Sequence, residues 1–212
     1  DIEGDNFEYV IYSLFDSDKE FFDEEFSLVP ITNFTFTGSI LIDGTYYYNV
    51  TVIDKVGLEG STETRSITLD TIQPEVDYTI DTELDDTYLS QNSIFIGVDV
   101  TEDNVESIDY YLFDSELNPL DDIPFRTLDE EHNFTELADG TYYYNATVTD
   151  KVGLQGSTET RSIILDTTEP TVNYDDTGTL PDNSFHNQNT LTITTQITEV
   201  NIDTVTYILY DS

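Results

Sequence analysis

The 212-residue chain contains no cysteine, no methionine and no tryptophan. Without cysteine it can form neither a disulfide nor a thiolate metal site, and cysteine usage says nothing about redox compartment. Basic residues are nearly absent: six Lys and Arg stand against 45 Asp and Glu, a formal net charge of −39. Phosphate recognition needs a basic face, so the balance argues against a nucleic-acid partner. An anionic membrane surface would repel such a chain as well. No apolar run approaches the roughly 18 to 20 residues of a membrane span, and no segment of useful length carries a helical period, which predicts little or no helix. No signal peptide opens the chain, which starts in the middle of a pattern and reads as a mature fragment or excerpt. The only histidines, His132 and His186, stand at positions that do not correspond, and there is no phosphate loop or nucleophile elbow. Paired carboxylates are everywhere, but an active site is normally built once, and the repetition described next argues against an enzyme.

Fifteen Tyr and twelve Phe are present, with abundant Ile, Val and Thr that suit a pleated, half-buried surface. Self-similarity is the dominant signal. Asp43–Thr71 recurs as Asp139–Thr167, an offset of 96, with differences only at Val50/Ala146, Ile53/Thr149, Glu59/Gln155 and Thr68/Ile164. Tyr12–Ser17, Tyr110–Ser115 and Tyr207–Ser212 also match, at offsets of 98 and 97. The period is therefore about 97 residues, the size of one sandwich domain. By phase, residues 1–70 form a repeat lacking its first strands, 71–167 a complete repeat, and 168–212 the first strands of a further one.

Alternation and turn residues place strands in the middle repeat at Pro74–Ile80, Asn92–Thr101, Ser107–Asp114, Asn133–Leu137, Thr141–Asp150 and Thr158–Asp166, punctuated by Gly140, Gly153 and Gly156. The penultimate strand puts Tyr142, Tyr144, Ala146 and Val148 on one face and Tyr143, Asn145, Thr147 and Thr149 on the other. Its counterpart puts Tyr46, Tyr48, Val50 and Val52 opposite Tyr47, Asn49, Thr51 and Ile53. The first set is the expected core face in each repeat. The tyrosines fit a core role with a corner hydrogen bond, or an aromatic ligand platform. The junctions Leu69–Pro74 and Leu165–Pro170 are short, free of glycine and stiffened by proline, so a rod is expected rather than beads on a string.

The order Asp-Gly-Thr-Tyr, an alternating strand ending in Asp, Lys-Val-Gly-Leu, Arg-Ser-Ile-x-Leu-Asp-Thr and a closing Pro resembles the bacterial and archaeal Ig-like repeats of large surface proteins. Asp70-Thr71-Ile72-Gln73-Pro74 and Asp166-Thr167-Thr168-Glu169-Pro170 carry the junction pattern. Leu58 and Leu154 depart from it, standing where Asn is common. Gly44, Thr45 and Tyr47, like Gly140, Thr141 and Tyr143, form an element shared with fibronectin type III domains. The resemblance covers essentially the whole chain. It implies an all-β fold of tandem immunoglobulin-like or fibronectin III-like β-sandwich repeats, and it is weak on function, because such sandwiches host many activities.

The expected function is an extracellular structural protein: a stiff array in a surface filament, stalk or cell-envelope fibre, partnered by copies of itself or neighbouring repeats. The alternative is an adhesin or carbohydrate-binding surface module, with Tyr47 and Tyr143 as exposed aromatics. Four sequons, at Asn33, Asn49, Asn133 and Asn145, fall at two equivalent positions per repeat and suggest N-linked glycans. Three origins compete for the acidity: a solvated surface adapted to high salt, loading with divalent cations, and disorder, the last opposed by the regular apolar alternation. Calcium takes several loop oxygens. No EF-hand or nonapeptide spacing is present, yet the junctions offer two candidate sets. Asp43 and Asp70 would face Glu102, Asp103, Asn104 and Asp150; Asp139 and Asp166 would face Glu199 and Asn201. Turn aspartates also favour such positions for local hydrogen-bonding reasons.

Overall fold

The computed structural model describes residues 6–29, 31, 33–36, 41–120 and 124–210. The described chain is all-β, with sixteen strands. The first repeat carries β1 (Phe7–Phe15), β2 (Phe21–Ser27), β3 (Gly44–Asp54), β4 (Glu59–Ser61) and β5 (Arg65–Leu69). The middle repeat carries β6 (Glu75–Tyr78), β7 (Thr87–Leu89), β8 (Ile94–Thr101), β9 (Val105–Phe113), β10 (Phe125–Thr127), β11 (Glu131–Phe134), β12 (Gly140–Asp150), β13 (Gln155–Ser157) and β14 (Arg161–Leu165). β15 (Thr171–Tyr174) and β16 (Thr195–Thr198) follow. Among the described residues no helix is long and apolar enough to cross a membrane.

The sheets repeat like the sequence. In the first, the order is β2-β1-β3-β4, with β5 also on β3. Along one edge of β3, Gly44–Tyr48 pair with β5 and Thr51–Ile53 with β4. β12 divides its edge the same way, Gly140–Tyr144 with β14 and Thr147–Thr149 with β13. The middle sheet runs β10-β9-β12-β14-β7, closed by a parallel β14–β7 edge, and a three-stranded sheet runs β11-β8-β6. These two sheets face each other: the Tyr78 and Tyr144 rings meet edge-on at 5.8 Å between centroids, and Tyr110 stacks on His132 at 5.7 Å. Between them Ile94, Ile96, Val98, Leu112, Ala146, Ile163 and Leu165 are buried. Full burial of the isoleucine, valine and leucine side chains stabilises by about 1.5–3 kcal/mol each. The arrangement is a β-sandwich.

Alternation selects the buried face of β12: Tyr144, Ala146 and Val148 are wholly buried, while Tyr143, Asn145, Thr147 and Thr149 are partly exposed. The tyrosine hydroxyls anchor the strands to backbone outside them. Tyr142 donates to Ala138 O and Tyr46 to Ile42 O, both at 3.0 Å, giving the corner bond expected of a sandwich. Tyr110 donates to Asp129 O at 3.1 Å and its counterpart Tyr12 to Ile31 O at 2.9 Å. Tyr144 donates to Glu83 O.

The first repeat departs from the expected face. Tyr46 is buried as expected, but so is Ile53, assigned to the opposite face, and Tyr48 is 36% exposed although its counterpart Tyr144 is fully covered. The covering group decides this. Tyr144 packs under Tyr78 of β6, and Tyr48 has no corresponding ring against it among the described residues. The strands β7, β10 and β13, three residues each, fall outside the segments expected from sequence. At that length they contain too few alternations to be read.

Two compact units result: Asp1–Val76 with Val100–Ile108 and Thr147–Ser157, and Asp77–Asp99 with Asp109–Ala146 and Thr158–Ser212. The first unit thus contains the tips of β8, β9 and β12 as well as the first repeat. Gly156 and Pro74 meet inside it so tightly that a Cβ on Gly156 would lie 2.0 Å from Pro74 O. Gly60, the same position one repeat earlier, has nothing within 4 Å of such a Cβ. Gly156→Ala is expected to lower stability by about 1–3 kcal/mol through overpacking, with Gly60→Ala within about 0.5 kcal/mol of the parent. Urea unfolding of the two variants measures the difference.

Candidate metal centre

Asp150 closes β12 and organises the turn that follows. Its Oδ1 accepts from Val152 N at 2.9 Å and Leu154 N at 2.8 Å. Gly153, at φ 91°, supplies the left-handed residue that the turn requires. The same device recurs at Asp54, whose Oδ1 accepts from Val56 N and Leu58 N at 3.0 and 2.8 Å. The second oxygens differ. Asp54 Oδ2 accepts from Asn6 Nδ2 at 2.9 Å, whereas Asp150 Oδ2 is buried and receives no hydrogen bond, in a residue 1% exposed. A buried acceptor left unmatched costs about 1–3 kcal/mol, and more when charged.

Asn104, the counterpart of Asn6, is turned elsewhere. Its amide donates to Asp70 Oδ2, its Oδ1 accepts from Lys151 N at 3.0 Å, and its own N–H binds Glu102 Oε1 at 3.0 Å. Asp70 Oδ1 accepts from Ile72 N at 3.1 Å. These bonds gather Asp70, Glu102 and Asp150 so that one carboxylate oxygen of each lies within 4.8 Å of the others. At that separation, and an effective dielectric near 20, each pair of unit charges repels by roughly 3 kcal/mol before salt screening. The donor set is all oxygen, which matches hard divalent cations.

The remaining expected ligands divide. Asp43 and Asp103 line the same cleft as Asp70, Glu102 and Asn104. They are not part of the three-carboxylate group, and Asp43 accepts from the Thr71 hydroxyl at 3.0 Å. In the later set, Asp139, Asp166, Glu199 and Asn201 line one cleft, and Asn201 Nδ2 donates to Asp166 Oδ2 at 2.6 Å, repeating the Asn104–Asp70 bond. Asp139 takes Thr167 N, the Thr167 hydroxyl and the Thr168 hydroxyl at 2.9, 2.7 and 2.7 Å. Among the described residues, this set does not assemble three carboxylates. The Asn6–Asp54 pair escaped the sequence reading, although asparagine recurs at 6, 104 and 201.

Of the four sequon asparagines, Asn33 and Asn133 are exposed, while Asn49 and Asn145 donate to Thr64 and Thr160 hydroxyls at 3.1 and 2.9 Å. Four of the six basic side chains meet carboxylates or rings. Arg65–Glu63 and Arg161–Glu159 repeat at 2.7 and 3.0 Å. Arg126 grips the buried Asp109 with two bonds of 2.6 and 2.8 Å. Lys19 Nζ lies 5.0 Å from the Tyr47 ring centre.

No family model matches the chain, and no curated protein matches it. Similar solved structures include the FN1–FN3 domains of chicken CNTN1, at 17% identity and TM-score 0.40 over 76% of this chain and 56% of that one. The chain thus spans little more than half the length of that relative. Fibronectin(III)-like modules of Clostridium thermocellum CbhA match at 10% identity and TM-score 0.33, over 78% of this chain and 80% of that chain. Dimeric latent PorU from Porphyromonas gingivalis matches at 11% and 0.33, over 77% of this chain and 16% of that one. At these values the likenesses carry no argument about function, and the fold rests on the sheets described above.

The Asp139 bonds have a pH signature. The Thr168 hydroxyl first, then the Thr167 hydroxyl and amide, hold its carboxyl below the ordinary aspartate value of 3.8. A depressed carboxylate contributes stability that is complete above the unfolded value and is lost as pH falls through the folded one. Carbon-13 NMR titration is expected to place the Asp139 midpoint below 3.8. In Thr168→Val the midpoint moves back up.

Proposed function

We propose that the chain is part of an extracellular structural protein, a stiff array of sandwich repeats in a surface filament, stalk or envelope fibre. The observation that carries this reading is the make-up of the first compact unit. It joins the first repeat and the junction segment through Val76 to the loop-bearing ends of β8, β9 and β12 of the next repeat. The junction is pinned by specific groups: Asn104 to Asp70, Pro74 against Gly156, and, one repeat later, Asn201 to Asp166. A flexible linker would leave these positions solvated and glycine-rich.

The bonded positions are the repeated ones, as an array demands, because each repeat must offer its successor the same contact. The acidic surface keeps such a polymer soluble and stops like-charged rods from collapsing together. Partners on this reading are further repeats and the cell envelope. N-linked glycans would sit first at Asn33 and Asn133, whose side chains are exposed.

Small-angle scattering of the chain is expected to give a compact Kratky profile and an elongated distance distribution, unchanged in shape across salt concentrations. A profile that requires an ensemble of bent forms would overturn the stiff-array reading. On protein isolated from its native source, the peptides that contain Asn33 and Asn133 are expected to exceed their sequence masses by discrete sugar increments. Native peptides at their unmodified masses remove the glycans.

A further inference from the structure

We propose that Asp70, Glu102 and Asp150 form a calcium site. Three observations converge on it. The first is the grouping of one oxygen from each residue within 4.8 Å. The second is Asp150 Oδ2, an acceptor without a donor in a residue 1% exposed. The third is a comparison internal to the molecule. In the first repeat the same aspartate oxygen is satisfied by Asn6; in the middle repeat the equivalent amide of Asn104 is directed to Asp70. The chain holds the donor that would quench Asp150 and places it on another carboxylate of the same group.

A protein cation would be the other way to neutralise the cluster. The three described arginines bind Glu63, Asp109 and Glu159. Near the site, Lys151 contributes its backbone N–H to Asn104. Calcium fits better than magnesium, because the ligands come from three separate segments at unequal exposure. Calcium accepts six to eight oxygens in irregular geometry, while magnesium demands a near-ideal octahedron and gives up water reluctantly. Asn104 positions the group by orienting Asp70 and Glu102. The site stands independently of the array reading: a rod without calcium and a calcium-loaded module outside any rod are both coherent molecules.

The test uses the full chain, stripped with a chelator and titrated with CaCl2 and, separately, MgCl2 in a calorimeter at about 0.15 M NaCl, where diffuse attraction is screened within about 8 Å. One saturable calcium site per chain is expected, at about 10⁻⁴ to 10⁻³ M as in other extracellular modules, with magnesium at least tenfold weaker. Asp150→Asn and Glu102→Gln are each expected to weaken it at least tenfold; Asp81→Asn, in a separate acidic cleft, leaves it unchanged. Asp150→Asn keeps the oxygen that caps the turn, and Glu102→Gln changes a partly exposed residue, so at least one variant folds. Thermal melts supply a second readout. In chelator, Asp150→Asn is expected to melt at or above the parent temperature; in calcium it melts below. Equal destabilisation in both conditions would assign the aspartate a purely structural role and overturn the site, as would calcium binding indifferent to both variants.

Discussion

Forty-five carboxylates against six basic side chains impose the constraint on which the rest of this structure depends: negative charge has to be accommodated without counter-cations of its own. The chain does this with backbone and hydroxyl donors. Asp16, Asp54, Asp114 and Asp150 each use one oxygen to accept two amides of the turn that follows. Asp43 and Asp139 bind threonine hydroxyls at the ends of the repeats. For Asp114 the side-chain and backbone bonds of Asn118 hold the carboxyl below its ordinary range, so that turn favours the ionised aspartate. The acidity and the turn geometry are one arrangement.

Buried hydroxyls do for the core what carboxylates do for the turns. Tyrosine fills the sandwich with its ring and anchors a segment outside the strands with its oxygen, at Tyr12, Tyr46, Tyr110, Tyr142 and Tyr144. Without disulfides or tryptophan, these bonds fix the long strands against irregular chain. Burial raises the Tyr78 hydroxyl to about 12, so it remains a neutral donor to Glu159 O at 2.7 Å. The Asp109–Arg126 pair is the exception, a buried carboxylate compensated by an exposed guanidinium. At the corresponding positions of the first repeat stand Ile11 and Leu28, so it is a feature of one repeat and not of the pattern.

The candidate metal centre follows from the same economy of donors. Where a carboxylate oxygen has a turn amide or threonine beside it, the structure is locally complete. At Asp150 Oδ2 it is not, and two further carboxylates lie nearby. Ten acidic or amide residues had the right types in the right segments. Which of them converge was not readable, because aspartate is the ordinary residue of both turns and metal ligands. Hydrogen bonding separates the roles: Asp43 and Asp139 are held by threonines, while Asp150 keeps one oxygen unmatched.

What the sequence determined by itself is the all-β fold, the period near 97 residues and the buried face of β12. Each is written in residue order, through alternation, turn residues and recurrence, and needs no knowledge of distant contacts. The three-residue strands β7, β10 and β13 left no such trace. Tertiary structure alone decided between near-identical positions. Gly60 and Gly156, Tyr48 and Tyr144, Asp54 and Asp150 are paired by sequence and differ in what lies against them. The physical reason is that burial and hydrogen-bond satisfaction belong to the neighbour across space, here Pro74, Tyr78 and the amide of Asn6, and a repeated sequence does not give its copies the same neighbours.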